Sequence, residues 1–97
     1  MPHYIILVKL TEKGGQNFKQ GWLKDRAQVK KQVQKMGGKM TGYLTLGQYD
    51  VVEFLELPDD KAAARFALMA GATGLVSTVT LKAFSEEEVD KMVQEIP

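Results

Sequence analysis

The sequence predicts an α+β domain in which two helices cover one face of an antiparallel four-stranded sheet. Three observations predict it. The 97 residues leave room for one domain. Four segments are apolar and β-branched like strands, and two amphipathic segments separate them. Because these segments follow the order β-α-β-β-α-β, we expect a ferredoxin-like sandwich whose right-handed crossovers place both helices on one side.

The first strand is predicted from His3 to Leu10, which is almost continuously apolar, as in a central strand covered on both faces. A longer helix is predicted from Trp22 to Met36, with Trp22, Arg26 and Val29 at three-and-four spacing. Gly37-Gly38 ends this helix, since glycine readily takes the left-handed conformation. Three earlier glycines favour only a short helical turn before it: Gly14, Gly15 and Gly21.

The next two strands are predicted over residues 39–46 and 49–57, joined at Gly47-Gln48. Glycine at the first position of a two-residue loop is typical of a type II′ hairpin turn. The register that follows pairs alternate side chains on the two faces of the sheet. The expected pairs on one face are Leu46 with Tyr49, Leu44 with Val51, and Gly42 with Glu53, and those on the other face are Thr45 with Asp50, Tyr43 with Val52, and Thr41 with Phe54.

The second half of the chain is predicted to contain a helix, a fourth strand and a terminal helix. Asp59 or Asp60 caps the first of these helices, which has a flat face of small residues. The strand runs from Leu75 to Phe84, and Ser85 to Glu88 form a capping box. We therefore expect a domain over residues 1–84 and a helical extension over 85–97, with an apolar stripe of Val89, Met92, Val93 and Ile96.

The composition excludes several functions. With 13 basic and 12 acidic residues, the net charge of +1 gives no electrostatic reason for binding nucleic acid. A local basic cluster is assigned to a solvated helix face: Lys24, Arg26, Lys30, Lys31 and Lys35. The chain has no cysteine and one histidine, and it lacks phosphate-loop motifs, so we expect neither metal nor cofactor. No signal peptide or membrane span is recognisable, which predicts a cytoplasmic protein without membrane contact.

Self-association is expected from the sheet. Two helices cover only one face, yet the first and third strands have apolar residues on both sides. An exposed apolar face of several hundred Å² is rare in a soluble monomer. Packing of two such faces predicts a homodimer or larger homo-oligomer, and the alternative is that the terminal helix covers its own sheet.

The hairpin from Leu46 to Val52 resembles the GYD-domain family through Gly47, Tyr49 and Asp50. The resemblance covers most of the chain. It implies the dimeric α/β-barrel type of ferredoxin-like fold, without a firmly assigned activity. The hairpin is also similar to that of ligand-binding domains in leucine-responsive-type regulators, and the fold is similar to that of cofactor-free monooxygenases and muconolactone isomerases. The agreeing segments beyond the hairpin are Thr11-Glu12, Gly37-Gly38, 58–60 and 79–84.

Five residues are candidates for a ligand site. Tyr49 and Asp50 follow the hairpin turn and either contact a ligand or stabilise backbone and interface. His3 is the one side chain that ordinarily titrates near neutrality, so it is a candidate general base or an interface residue. Tyr43 and Glu53 are the remaining candidates for acid–base chemistry. We expect Glu53 either beside a small pocket or in an ion pair with Lys9.

Three functions follow from this. The first is a homo-oligomeric module that binds a small molecule between sheet and helices or at a subunit interface. The second is a cofactor-free oxygenase or isomerase for a small aromatic or lactone-like substrate, which needs a cavity of about 300 Å³ or more. The third is a structural assembly protein without a ligand.

Overall fold

The computed structural model describes all 97 residues and has the predicted βαββαβ order with a C-terminal helix. The sheet is antiparallel with strand order β2-β3-β1-β4, as in a ferredoxin-like α+β fold. None of the helices is both long and apolar enough to cross a bilayer. The elements are β1 His3–Leu10, α1 Glu12–Gln16, α2 Phe18–Gln20, a π-helical turn Gly21–Asp25, α3 Arg26–Lys35, β2 Lys39–Leu44, β3 Val51–Glu56, α4 Asp60–Ala72, β4 Val76–Ala83 and α5 Glu86–Gln94.

The first helical region is divided into short pieces before the regular helix α3. The predicted start at Trp22 was therefore early, because Gly21–Asp25 forms a π-helical turn. Gly14 packs so closely under the start of β4 that a Cβ atom there would overlap the carbonyl oxygen of Leu75. Gly37, with φ of 80°, ends α3 as predicted. Backbone angles are helical at both ends of the π-helical turn, so α2, this turn and α3 form one helical stretch that Asn17 separates from α1.

The β2–β3 hairpin has the predicted register, and the ladder contains the four expected pairs from Thr41–Phe54 to Leu44–Val51. The expected pair of Leu46 with Tyr49 is not formed. The loop, however, has four residues, because the pairing ends where Thr45 N donates to Asp50 O at 2.9 Å. The Thr45 hydroxyl donates to the carbonyl oxygen of Tyr49 at 2.7 Å and so occupies an acceptor that a two-residue turn would use. Gly47 has φ of 122°, in the region that favours glycine.

The core lies between the helices and one face of the sheet. It is formed by side chains that alternate along β1 and β3 and by residues of α3 and α4. Ala62 and Ala63 are small and buried, so α4 lies close against the strands. The capping of α4 by Asp59, which accepts from Ala62 N at 2.9 Å, was predicted. The core residues are Tyr4, Ile6, Val33, Leu55, Leu57, Ala62, Ala63 and Phe66.

The opposite face of the sheet, here called the open face, is exposed. It presents Tyr43, Phe54, Val79 and Leu81, which are 40% to 62% exposed. Helix α5 starts with the predicted capping box of Ser85 and Glu88. It does not cover the open face, and its own stripe is 42% to 67% exposed: Val89, Met92, Val93 and Ile96.

Candidate functional site

A cavity of about 200 Å³ lies between the sheet and the segmented helices. We call it the helix-side cavity. Strand β1 and helix α4 supply its apolar floor and one wall, and the π-helical turn and its neighbours supply the opposite wall. Gly21 brings no side chain to this wall, and its backbone keeps helical dihedral angles, so the π-helical turn continues directly into α3. The apolar lining includes Ile6, Val8, Phe18, Trp22, Val29, Phe66 and Ala70.

The polar wall of the helix-side cavity is an ion pair between Arg26 and Glu53. Arg26 Nη1 donates to Oε2 of Glu53 at 2.6 Å, and Nη2 donates to Oε1 at 2.8 Å. Glu53 is only 7% exposed. The ring of Trp22 lies 4.6 Å from the guanidinium carbon, within cation–π distance, and Phe18 packs against Trp22 at 5.5 Å. The pair is thus desolvated, bidentate and held on one side by an aromatic ring.

Gly42 makes room for this ion pair. It lies opposite Glu53 in the β2–β3 register. A Cβ atom at Gly42 would overlap the carboxylate of Glu53 and approach Arg26 Nη2 to 2.6 Å. The position therefore requires glycine because of close approach.

The structure corrects the predicted partner of Glu53. Lys9 lies on the open face, where its ammonium group donates to the carbonyl oxygen of Gln48 at 3.1 Å, whereas Glu53 points to the helices. The assignment of Arg26 to the solvated basic face was also wrong, since its side chain is 15% exposed. The signal that places it inward is its helical spacing from Trp22 and Val29, which line the same cavity.

Asp50 and Tyr49 have backbone roles at the hairpin end. The amide of Asp50 donates to Val8 O at 2.9 Å, and its Oδ2 accepts from Leu10 N at 2.8 Å. The Gly-x-Tyr-Asp hairpin thereby extends the β1–β3 ladder beyond its last strand pair. Tyr43 lies elsewhere, 62% exposed on the open face, with its ring edge-on to Phe54 at 5.8 Å.

His3 lies between two carboxylates at the end of the open face. Its Nδ1 is 3.1 Å from Glu88 Oε1, and its Nε2 is 3.6 Å from Glu56 Oε1. The backbone N–H and hydroxyl of Ser85, with His3 as a smaller contributor, lower the pKa of Glu88. His3 also lines a second, open groove of about 540 Å³, together with Phe54 and Phe84. It thus connects β1 to the start of α5.

Sequence reasoning missed a polar cluster at the start of α4. The Tyr4 hydroxyl donates to Asp60 Oδ1 at 2.6 Å, and Lys82 Nζ lies 3.0 Å from the same oxygen. Burial, followed by the hydrogen bond to Asp60, raises the pKa of Tyr4 to about 12. The Tyr4 hydroxyl and then Lys82 lower the pKa of Asp60. No local pattern signals this cluster, because its members come from three distant segments.

The five candidate residues do not form one site. Glu53 lines the helix-side cavity, His3 lines the open groove, Tyr43 lies on the open face, and Tyr49 and Asp50 lie at the hairpin end. No group of three or more His, Asp or Glu side chains has the arrangement of a metal site. The helix-side cavity is therefore the place where an apolar lining and a largely buried charge pair coincide.

The fold and this cavity define a small ferredoxin-like α+β protein with one covered and one exposed sheet face. The chain belongs to the GYD-domain family, whose model matches residues 4–93 and so nearly the whole chain. No curated protein and no solved structure matches it.

Proposed function

We propose that the protein is a homo-oligomeric module that binds a small molecule in the helix-side cavity. The observation that carries this proposal is an apolar cavity of about 200 Å³ with a buried ion pair in its wall. The cavity opens to solvent on one side, so a ligand can reach it without unfolding of the helices. An apolar cavity of about 150 Å³ suffices to bind benzene, so this one accommodates a compact organic molecule.

The ion pair in the wall supports a binding role. A buried salt bridge contributes little net stability, since the cost of desolvating both charges offsets their attraction. The Arg26–Glu53 pair also requires the absence of a side chain at Gly42. The π-helical turn beside it belongs to a class of helix irregularity that is frequent at functional sites. Each of these features is costly for the fold and useful for a site.

The homo-oligomeric part of the proposal rests on two exposed apolar surfaces, the open face and the stripe of α5. The eight large side chains named above for these two surfaces together expose on the order of 700 Å² per subunit, at roughly 90 Å² each. A specific interface buries about 800 Å² per partner, so the open face alone supplies only about half of what a stable dimer needs. A helix as short as α5 is marginal without packing. We therefore assign both surfaces to one dimer interface.

Native mass spectrometry of the protein purified without added ligand tests both parts. A dimer with an additional bound mass is expected. A dimer without it would favour the structural role, and a monomer would contradict the assigned interface.

A matched pair of variants locates the bound molecule. Ala70→Leu places extra volume in the cavity wall, whereas Ala64→Leu adds the same volume on the exposed side of α4. Loss of the adduct in Ala70→Leu and its retention in Ala64→Leu are expected. Equal retention in both would remove the cavity as the site.

A second candidate function, the cofactor-free oxygenase or isomerase, is favoured by the open groove. Its 540 Å³ exceeds the volume that a substrate usually requires, and His3 lines it. Both ring nitrogens of His3 face carboxylates, an arrangement that suits a bridging ion pair better than a free general base. Turnover of an aromatic or lactone substrate that disappears in His3→Ala would favour this activity over simple binding.

A further inference from the structure

The chemistry of the cavity wall specifies the ligand class. We infer that the helix-side cavity binds an uncharged aromatic molecule of one or two rings with a single hydrogen-bond acceptor oxygen, which accepts from Arg26. This inference rests on the proposed binding function and adds the ligand's size, charge and polar group.

The size and shape of the ligand follow from the cavity. Its volume of about 200 Å³ exceeds the roughly 150 Å³ that accommodates benzene and lies well below the 300 Å³ or more of pockets for drug-sized molecules. Aromatic rings line it on two sides, from Phe18 and Trp22 in the helical cover and from Phe66 in α4. Aromatic pairs pack favourably in offset or edge-to-face geometry, which such walls offer to a flat ligand.

The charge of the ligand follows from the ion pair. Glu53 already neutralises Arg26 through both carboxylate oxygens. An anionic ligand at Arg26 would add a negative charge close to Glu53, and Asp25 also lines the cavity. A cationic ligand would compete with Arg26 for the same carboxylate. In a desolvated site, an unpaired charge is costly, so the wall selects against both kinds of ion.

The acceptor oxygen follows from the donors that Arg26 retains. A guanidinium group has five N–H donors, and two of them are used by Glu53. No other side chain or carbonyl oxygen in the chain accepts from Arg26, and its Nε–H, which has no partner within the chain, is not fully buried and can meet a ligand or water. A carbonyl or ether oxygen on a bound ring would satisfy one of these donors with a charge-assisted hydrogen bond.

Trp22 allows binding to be observed at the site itself. It is the only tryptophan of the chain and lines the cavity. Its indole N–H therefore gives a single resonance in a ¹⁵N–¹H NMR spectrum. Titration of the full-length protein with ethylbenzene, acetophenone and benzoate compares nearly isosteric rings without an acceptor, with a neutral acceptor and with a charged acceptor. Acetophenone is expected to bind at least about tenfold more tightly than either of the others, equivalent to about 1.4 kcal/mol.

Variants assign the preference to Arg26. The double variant Arg26→Met with Glu53→Met removes both charges together, so that no unpaired charge remains buried. It is expected to bind acetophenone and ethylbenzene with equal affinity. Lys24→Met, which removes an exposed cation from the π-helical turn, is expected to keep the tenfold preference. If the double variant does not fold, the comparison of the three ligands on the natural protein decides alone.

Each outcome has one meaning. Equal binding of ethylbenzene and acetophenone, or tightest binding of benzoate, would overturn the inferred ligand class and leave the binding function intact. A retained adduct in native mass spectra, together with no indole shift by any of the three compounds, would also overturn the ligand class and leave the binding function intact. No indole shift, no adduct and no difference between Ala70→Leu and Ala64→Leu would overturn the binding function as well.

Discussion

Gly42 shows how a single residue controls the charge pair of the cavity. Replacement by alanine would place a methyl group where the carboxylate of Glu53 lies. Either the strand shifts or the pair separates, and loss of a buried pair typically costs 3–5 kcal/mol. We expect Gly42→Ala to lower the free energy of unfolding by about 2–4 kcal/mol in urea denaturation.

Gly71→Ala is the control for this substitution. Gly71 lies in α4 with open space around its Cα and without a positive φ. Its replacement should leave stability unchanged or raise it by up to about 1 kcal/mol, because alanine favours helix. An equal, small effect of both substitutions would contradict the close approach at Gly42.

Asp50 offers a second test at the residue scale, because its carboxylate satisfies the amide of Leu10. Asp50→Ala should cost about 1–3 kcal/mol, since that amide loses its acceptor. Asp50→Asn keeps an acceptor oxygen and should cost less. Faster hydrogen exchange at Leu10 N in Asp50→Ala, with unchanged acetophenone binding, is expected. Loss of binding with unchanged stability would instead make Asp50 a ligand contact.

Tyr4 gives the fold a dependence on alkaline pH. Its pKa of about 12 in the folded chain exceeds the unfolded value of about 10. Folding therefore favours the neutral phenol. The stability that this preference contributes is fully present below pH 10 and is lost as the pH rises towards 12. Spectrophotometric titration should show a late tyrosine step near pH 12 that belongs to Tyr4. Tyr4→Phe should remove the last step and flatten stability in that window.

At the scale of elements, the sequence predicted strands and their register better than the helical cover. The β2–β3 pairs were predictable because alternation along two short segments leaves few registers that bury Val51 and Glu53 on one side. The four-residue loop was not, since it depends on the side-chain hydrogen bond from Thr45 to Tyr49. The glycines of the first helical region indicated an irregular helix, but not that a pocket would lie between it and the sheet.

The candidate site was harder to predict than the fold. Glu53 was identified from its polar character on an apolar strand, but its partner lies 27 positions earlier in the chain. Arg26 was grouped by its charge with the solvated lysines of the helix, although its spacing from Trp22 and Val29 places it on the inward face. Tyr49 and Asp50 carried the family signature. In this structure the Asp50 carboxylate accepts from the amide of Leu10, and the carbonyl oxygen of Tyr49 accepts from the Thr45 hydroxyl.

Helix α5 depends on its first turn. Ser85 caps it, and Glu88 accepts from Ser85 and lies 3.1 Å from His3. These contacts lower the pKa of Glu88 in the folded chain. The stability that they contribute to folding is therefore present above the unfolded pKa near 4.5, and it is lost as the pH falls through the lower folded pKa. We expect α5 amides to lose exchange protection in that acidic range.

Glu88→Gln should reduce this acid-dependent loss of protection, because the charged form no longer contributes. Glu87→Gln is the matched control, since Glu87 is exposed and makes no side-chain hydrogen bond or ion pair. The same acid response in both variants would show that the capping box does not control α5.

At the scale of the whole molecule, the sheet separates two surfaces with different proposed roles. The proposed ligand contacts lie on the helix side, and the proposed dimer contacts lie on the open face and α5. Alternate side chains of a strand point to opposite faces, so a substitution can affect one surface without touching the other. Phe54 and Glu53 are neighbours in β3 and illustrate this separation.

Phe54→Asp therefore tests the interface alone. Phe54 is 40% exposed on the open face and contacts Tyr43. A two-fold interface would bury the introduced carboxylate twice, once from each subunit, without a partner. Sedimentation equilibrium should show a dimer for the natural protein and a monomer for Phe54→Asp. Leu68→Asp, which changes a 74% exposed residue of α4, should remain dimeric. Both variants should bind acetophenone like the natural protein, and a dimeric Phe54→Asp would show that the subunits associate elsewhere.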